Sequence, residues 1–357
     1  MSCENALVHG GDIYTDRGLP LGVRLCDFSA NLNPLGMPPA VREAAVSAVS
    51  ASEAYPDPLC RELRAALAAQ YGIPAGRIVC GNGAADLLYR LVWAVKPASG
   101  LVQAPSFAEY ALALQNAGAK VQYAPLPPDF RPGEELPRAV GAGTGVVFFC
   151  NPNNPTGISA PRGYVRALAE KCRAAGALLL VDECFLDFIE GGEEKTAVPL
   201  LAEFENLLVL KAFTKMYAMA GLRLGYLLCG SDAVAEQVSH SGQAWSVSTP
   251  AQAAGLAALG IPDYPARTRA FLAKERPLLA NALRQCGAEV FPSEANYLFF
   301  RWPDEHLPEK LLRRGFLIRS CGNYPGLDGR YNRIAVRTRE ENAAFAAALL
   351  DITRKGD

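Results

Sequence analysis

Through the middle of the chain one pattern recurs: a short apolar run, then a stretch with helical spacing. The runs fall at 77–80, 101–104, 145–150, 177–181, 206–211 and 224–229. Amphipathic stretches at 87–95 and 107–117 lie between them, and Pro161 suits the first turn of a further helix. Runs such as VVFF and LLLV show no polar alternation, so strands built from them must be covered on both faces. Buried strands alternating with helices specify an α/β fold with a largely parallel sheet flanked by helices.

The pattern changes near residue 260. A long helix is expected over 261–287, strands at 289–291, 297–301 and 331–337, and a last helix over 340–353. That is a smaller α+β unit. The chain has 357 residues, more than one core usually holds. The expected division is an N-terminal arm over 1–40 that completes the site, a large domain over 41–260 and a small domain over 261–357.

Composition narrows the function classes. The formal net charge is −1, which offers no general surface for nucleic acid or membrane. No apolar run is long enough to span a bilayer, and the first residues lack the basic and apolar segments of a secretory signal. The ten cysteines are scattered without a CxxC pair, and read as buried free thiols of a cytoplasmic protein. His9, His240 and His306 are too far apart for a local metal motif, so no metal is expected.

Four strings carry chemistry. Gly81-Asn82-Gly83-Ala84-Ala85-Asp86 follows a strand and opens a helix. It is either a plain glycine turn or a place where backbone N–H groups and a helix N-terminus meet an anion. Asn151-Pro152-Asn153-Asn154-Pro155-Thr156-Gly157 stands at a strand's carboxyl end, where open α/β sheets bind ligands. Its Asn-Pro steps fix a turn, which leaves the three asparagines to explain. Asp182 ends an apolar strand, and its carboxylate either caps a helix after it or pairs with a cation. Lys215, after Thr214 and among small apolar residues, is either solvated or a nucleophile with a lowered pKa. Thr214 and Arg223 offer a hydroxyl and a planar cation to a phosphate.

Taken together, and in this order, the four strings resemble the fold-type I pyridoxal 5′-phosphate (PLP) enzymes, the aspartate aminotransferase superfamily. The resemblance covers nearly the whole chain. It implies that Lys215 carries PLP as a Schiff base and later moves a proton, and that Asp182 keeps the pyridine nitrogen protonated. It further implies that Asn154 bonds the ring hydroxyl, that Phe107 stacks on the ring, and that Gly83, Ala84, Ala85, Thr214 and Arg223 cradle the cofactor phosphate. Tyr55 matches a family tyrosine that reaches the neighbouring subunit's phosphate, which implies a homodimer with shared active sites. Arg337 matches the family arginine that binds a substrate anion. One departure is plain: where many relatives have DEAY, this chain has Asp182-Glu183-Cys184-Phe185, and Phe185 has no hydroxyl for the ring.

Three further strings, HGGD from His9, DFSANLNPLG over 27–36, and IRSCGNYPGL over 318–327, resemble the threonine-phosphate decarboxylases of cobalamin biosynthesis. Their relatives are the histidinol-phosphate aminotransferases, the alternative implied activity. A phosphorylated amino acid carries two anions, and arginine suits both. The expected substrate contacts are His9, Asn33, Arg319 and Arg337, with His9 and Arg319 on the phosphate. A PLP-binding regulator would need a DNA-binding module, for which 1–40 leaves no room. A dead site would not keep Lys215, Asp182, Asn154 and Arg223 together.

Overall fold

The computed structural model describes residues 9–19 and 22–355. Its strands, in chain order, are β1 (Cys26–Asp27), β2 (Ile78–Gly81), β3 (Ser99–Ala104), β4 (Lys120–Pro125), β5 (Val146–Cys150), β6 (Leu178–Asp182) and β7 (Leu207–Ala212). They continue as β8 (Gly225–Cys229), β9 (Glu289–Val290), β10 (Tyr297–Arg301), β11 (Phe316–Leu317), β12 (Arg319–Ser320) and β13 (Tyr331–Ala335).

A seven-stranded sheet in the order β2-β8-β7-β6-β5-β3-β4 forms the centre. Only β8 runs against its neighbours. The continuous apolar runs are explained by burial on both faces. Val147, Phe149, Leu179, Val181 and Val209 point into one core, while Val146, Phe148, Leu180, Leu208 and Leu210 point into another. The two cores lie on opposite sides of the sheet. Each is closed by helices, Arg162–Ala174 in the first and Gly83–Val95 in the second.

The α/β reading holds, with local corrections. β4 has no apolar run because it is the edge strand and mostly solvent-facing, so its burial signal is missing. Pro161 is the cap of its helix and not a first-turn residue. The strand expected over 331–337 stops at Ala335. Past it the chain turns into the helix Arg339–Lys355, with Asn342 donating to the Arg337 carbonyl.

The second sheet, β12-β13-β10-β9, is antiparallel. The helices Tyr264–Gln285 and Arg339–Lys355 cover it through Leu272, Leu279, Leu283, Phe345 and Leu349. The arm is tied to this unit, since β1 pairs in parallel with β11. From there the arm crosses to the central sheet, where the Asn33 N–H donates to the Lys215 carbonyl at 3.1 Å. No described helix is long and apolar enough to cross a membrane.

Candidate active site

The carboxyl ends of β2, β3, β5, β6 and β7 lie along one edge of the sheet. The segments that leave them line one open cavity. From β2 the chain enters the helix Gly83–Val95. Gly83 has φ +81°, and a Cβ built there would lie 2.5 Å from Arg223 Nη2. At Gly225 a Cβ would come 2.7 Å from the Ala84 nitrogen. Two missing side chains thus bring the Arg223 guanidinium directly over a helix start, where the first N–H groups lack intrahelical partners. Ala84, Ala85, Thr214 and Arg223 line the cavity together. Helix dipole, free N–H groups, hydroxyl and guanidinium all favour an anion there.

Lys215 sits on the short helix Phe213–Met216 at the end of β7. Burial, reinforced by the positive charges of Arg333 and Arg223, pushes its amine down to about 8. Across the cavity, Asp182 ends β6 and is 5% exposed. One carboxylate oxygen accepts from the Tyr110 hydroxyl at 2.6 Å and the other from the Cys184 N–H at 2.9 Å. Burial and the Asp182 charge push the Tyr110 hydroxyl well up, so it keeps its proton and donates. The carboxylate is fixed but still has lone pairs for a cationic N–H.

The three asparagines after β5 divide their work. Asn151 bonds both backbone groups of Ala160. Asn153 donates to the Pro105 carbonyl at 3.0 Å and accepts from Ser106 at 2.9 Å, bolting this turn to the loop after β3. Asn154 faces the cavity. Its Oδ1 accepts from Arg333 Nη1, which leaves Nδ2 as a donor. The loop braced by Asn153 carries Phe107 to the cavity wall, edge-on to Tyr110 at 5.6 Å between ring centroids.

The far wall comes from the second sheet and the arm. Arg319 donates to the Ser320 carbonyl and to Asn323, and its guanidinium lies 5.3 Å from the Tyr324 ring centroid. Arg333 is 6% exposed and donates to Asn154 and to the Ser29 carbonyl. In the β12–β13 ladder these two arginines are directly opposite partners. His9 stands over Phe107, 5.5 Å between ring centroids, with Nε2 hydrogen-bonded to Glu109. Asn31 also lines the cavity. It is 2% exposed, and neither end of its amide bonds to the protein.

The structure therefore brings His9, Ala84, Ala85, Phe107, Asn154, Asp182, Thr214, Lys215, Arg223 and Arg319 to one cavity, with Gly83 beneath Arg223. It places three others elsewhere. Arg337 lies beyond the end of β13 and pairs with Glu341 at 2.8 Å, and Arg333 lines the cavity in its stead. Asn33 spends its amide on the Met216 carbonyl, Thr268 and the Leu35 N–H, and Asn31 lines the cavity in its stead. Tyr55 is 79% exposed and stacks on Trp245 at 4.5 Å, away from the cavity of its own chain. Sequence reasoning also passed over Glu109 and Tyr110, although both follow Phe107 closely in the chain.

The family model for aminotransferase class I and II matches residues 23–349. Threonine-phosphate decarboxylase of Salmonella typhimurium is 36% identical over 352 residues, covering 96% of each chain. Histidinol-phosphate aminotransferase 2 of Ralstonia nicotianae is 34% identical over 333 residues, 91% of this chain and 88% of its own. Among solved structures, the histidinol-phosphate aminotransferase of Sinorhizobium meliloti in complex with pyridoxal-5′-phosphate matches with a TM-score of 0.84. It is 26% identical and covers 94% of this chain and 92% of its own.

Proposed function

Because the chain belongs to the aminotransferase class I and II family of PLP-dependent enzymes, we propose that it decarboxylates L-threonine O-3-phosphate to (R)-1-amino-2-propanol O-2-phosphate. L-serine phosphate, one methyl smaller, is a second substrate of the same shape. A pocket separates two such molecules by only about 1–3 kcal/mol.

The cavity fits the cofactor at each point. The helix start at Gly83, with Ala84, Ala85, Thr214 and Arg223, suits its phosphate. Phe107 offers an aromatic face, Asp182 an acceptor for a pyridinium N–H, Asn154 Nδ2 a donor for the ring oxygen, and Lys215 the amine that carries it. When bound, PLP supplies a sink for the electron pair left by a broken bond at the substrate's α-carbon.

The observation that carries the substrate reading is the pairing of Arg319 opposite Arg333 at one cavity wall. Like charges directly opposite each other on a sheet are destabilising. An anion between them removes that repulsion, and a phosphorylated amino acid supplies two anions. His9 and Arg319 hold the phosphate, Asn31 donates beside them, and Arg333 lies on the carboxylate side, next to Asn154. Held by its phosphate at His9 and Arg319, the substrate would have its carboxylate turned towards Arg333, which sets the Cα–COO⁻ bond as the one to break. Such orientation is worth several kcal/mol. Loss of CO₂ would leave an electron pair for the bound cofactor to take up, and Lys215 would supply the proton that replaces the carboxylate at the α-carbon. The Salmonella relative, matched end to end, supports the same reading.

A second reading, transamination of histidinol phosphate with 2-oxoglutarate, is favoured by the Ralstonia relative. An exposed aromatic stack of Tyr55 on Trp245, outside their own cavity, supports a homodimer. The free cysteines support a cytoplasmic protein.

A product assay on PLP-loaded protein tests this. CO₂ from L-threonine phosphate or L-serine phosphate, without glutamate, is the expected result. Glutamate from histidinol phosphate plus 2-oxoglutarate, with no CO₂ from either phosphoamino acid, overturns it.

A further inference from the structure

Besides Asp182, the cavity wall carries one carboxylate, and it stands on the side assigned to the substrate's phosphate. Glu109 is the first residue of the helix Glu109–Asn116, and its side chain is largely shielded from solvent. A negative charge there opposes anion binding unless it does something else. Both of its oxygens are committed. Oε1 meets His9 Nε2, and Oε2 accepts from the Tyr89 hydroxyl at 2.9 Å. Asn116 in turn donates to the Tyr89 oxygen at 3.5 Å. The hydrogen bonds from His9 and then Tyr89 hold the Glu109 carboxyl below its usual range, so it stays ionised and only accepts.

The arm leading to His9 is fixed at its other end. A side chain at Gly10 would collide with the Ser29 carbonyl, and the Gly11 N–H donates to Ser29 Oγ at 2.7 Å. Ser29 is itself held by Asp27 at 2.6 Å. The backbone therefore sets where the imidazole starts, and Glu109 sets where it points. His9 is otherwise substantially solvent-exposed, and an unrestrained imidazole would lose rotamer freedom on meeting a ligand.

We propose that Glu109 is a positioning residue for His9. Anchored by Tyr89, it holds the imidazole over the cavity so that the second ring nitrogen, Nδ1, donates to the substrate's phosphate. With Glu109 accepting at Nε2, Nδ1 is left for the phosphate, so the two ring nitrogens have separate partners. This rests on the reading that the substrate carries a phosphate.

Two physical effects predict opposite signs, which makes the test decisive. If Glu109 acts only through its charge, removing it relieves repulsion and lowers KM. If it positions His9, removing it raises KM. The experiment measures kcat and KM for L-threonine phosphate with the holoenzyme and the variants E109A, E109Q, H9A and H9A/E109A. It adds competition by inorganic phosphate as a probe of the anion site alone. Expected are a rise in KM of about tenfold in E109A and in H9A, the size of one charge-assisted hydrogen bond. Expected also are weaker phosphate competition and a double variant no worse than H9A. E109Q, which keeps an acceptor for the imidazole, should recover part of the loss even if E109A folds poorly. A lower KM in E109A or E109Q, or additive effects in the double variant, overturns the role of Glu109. Failure of the underlying reading looks different: the parent protein itself would neither turn over nor bind a phosphorylated amine, and the proposal would fall with it.

Discussion

The Lys215 amine has an ordinary value of 10.5 and is pushed down to about 8, by burial first and then by the Arg333 guanidinium. The neutral amine is the nucleophile, so the sign is direct. The neutral fraction rises about tenfold per pH unit below the pKa and levels off above it. At pH 7 a pKa of about 8 leaves roughly one molecule in ten neutral, against roughly one in 3000 for an ordinary lysine, a ~300-fold gain in reactive amine. Replacing Arg333 with Gln keeps a donor for Asn154 and Ser29 but removes the charge, so the Lys215 value should rise while remaining depressed by burial. Competitive acetylation of cofactor-free protein with trace anhydride reads this. The Lys215 peptide is quantified by mass spectrometry against an exposed lysine across pH 6–11. Labelling should level off near pH 8 in the parent protein and at a higher pH in R333Q. A break at or above pH 10 in the parent would refute the electrostatic account of this cavity, as would a break that R333Q leaves in place.

Two further outcomes rest on packing. Lys211 and Glu183 are both buried with nitrogen and oxygen 3.5 Å apart, so Lys211→Met should leave Glu183 with its hydrogen bonds from Thr196 and Ala197 but no counter-charge, and cost about 3–5 kcal/mol in urea unfolding; a loss under about 1 kcal/mol would contradict this. Gly83→Ala places a methyl 2.5 Å from Arg223 Nη2 at φ +81°, and PLP affinity by fluorescence titration should weaken about tenfold or more, with the fold retained by circular dichroism.

The buried strands were readable because burial on both faces writes an unbroken apolar run, as in β5, β6 and β7. β4 left no such trace because an edge strand is half solvated. Ala84, Ala85, Asn154, Asp182, Thr214 and Lys215 stand at or just past the ends of buried strands, where an apolar run stops, so a linear reading brought them to one cavity. On the substrate side, single residues two or four positions apart were confused. Arg333 and Arg337 have the same parity and would share a face if β13 continued. It ends at Ala335, and the turn into the last helix is what separates them. Asn31 and Asn33 lie in an irregular segment with no period to order them. Only the partners of Asn33, on Met216 and Thr268, show that its amide is already spent.

The route of the arm has a bearing on synthesis. A nascent chain that has emerged through β8 already holds every residue of the phosphate cradle, from Gly83 to Arg223. It has yet to make Arg319 or Arg333. Those two follow later, and Arg333 is then gripped by the carbonyl of Ser29, 304 residues earlier in the chain. Two stretches made far apart in translation therefore meet at a single place. Because such long-range closure comes late in folding, the wall proposed to hold the substrate is among the later parts of the cavity to close.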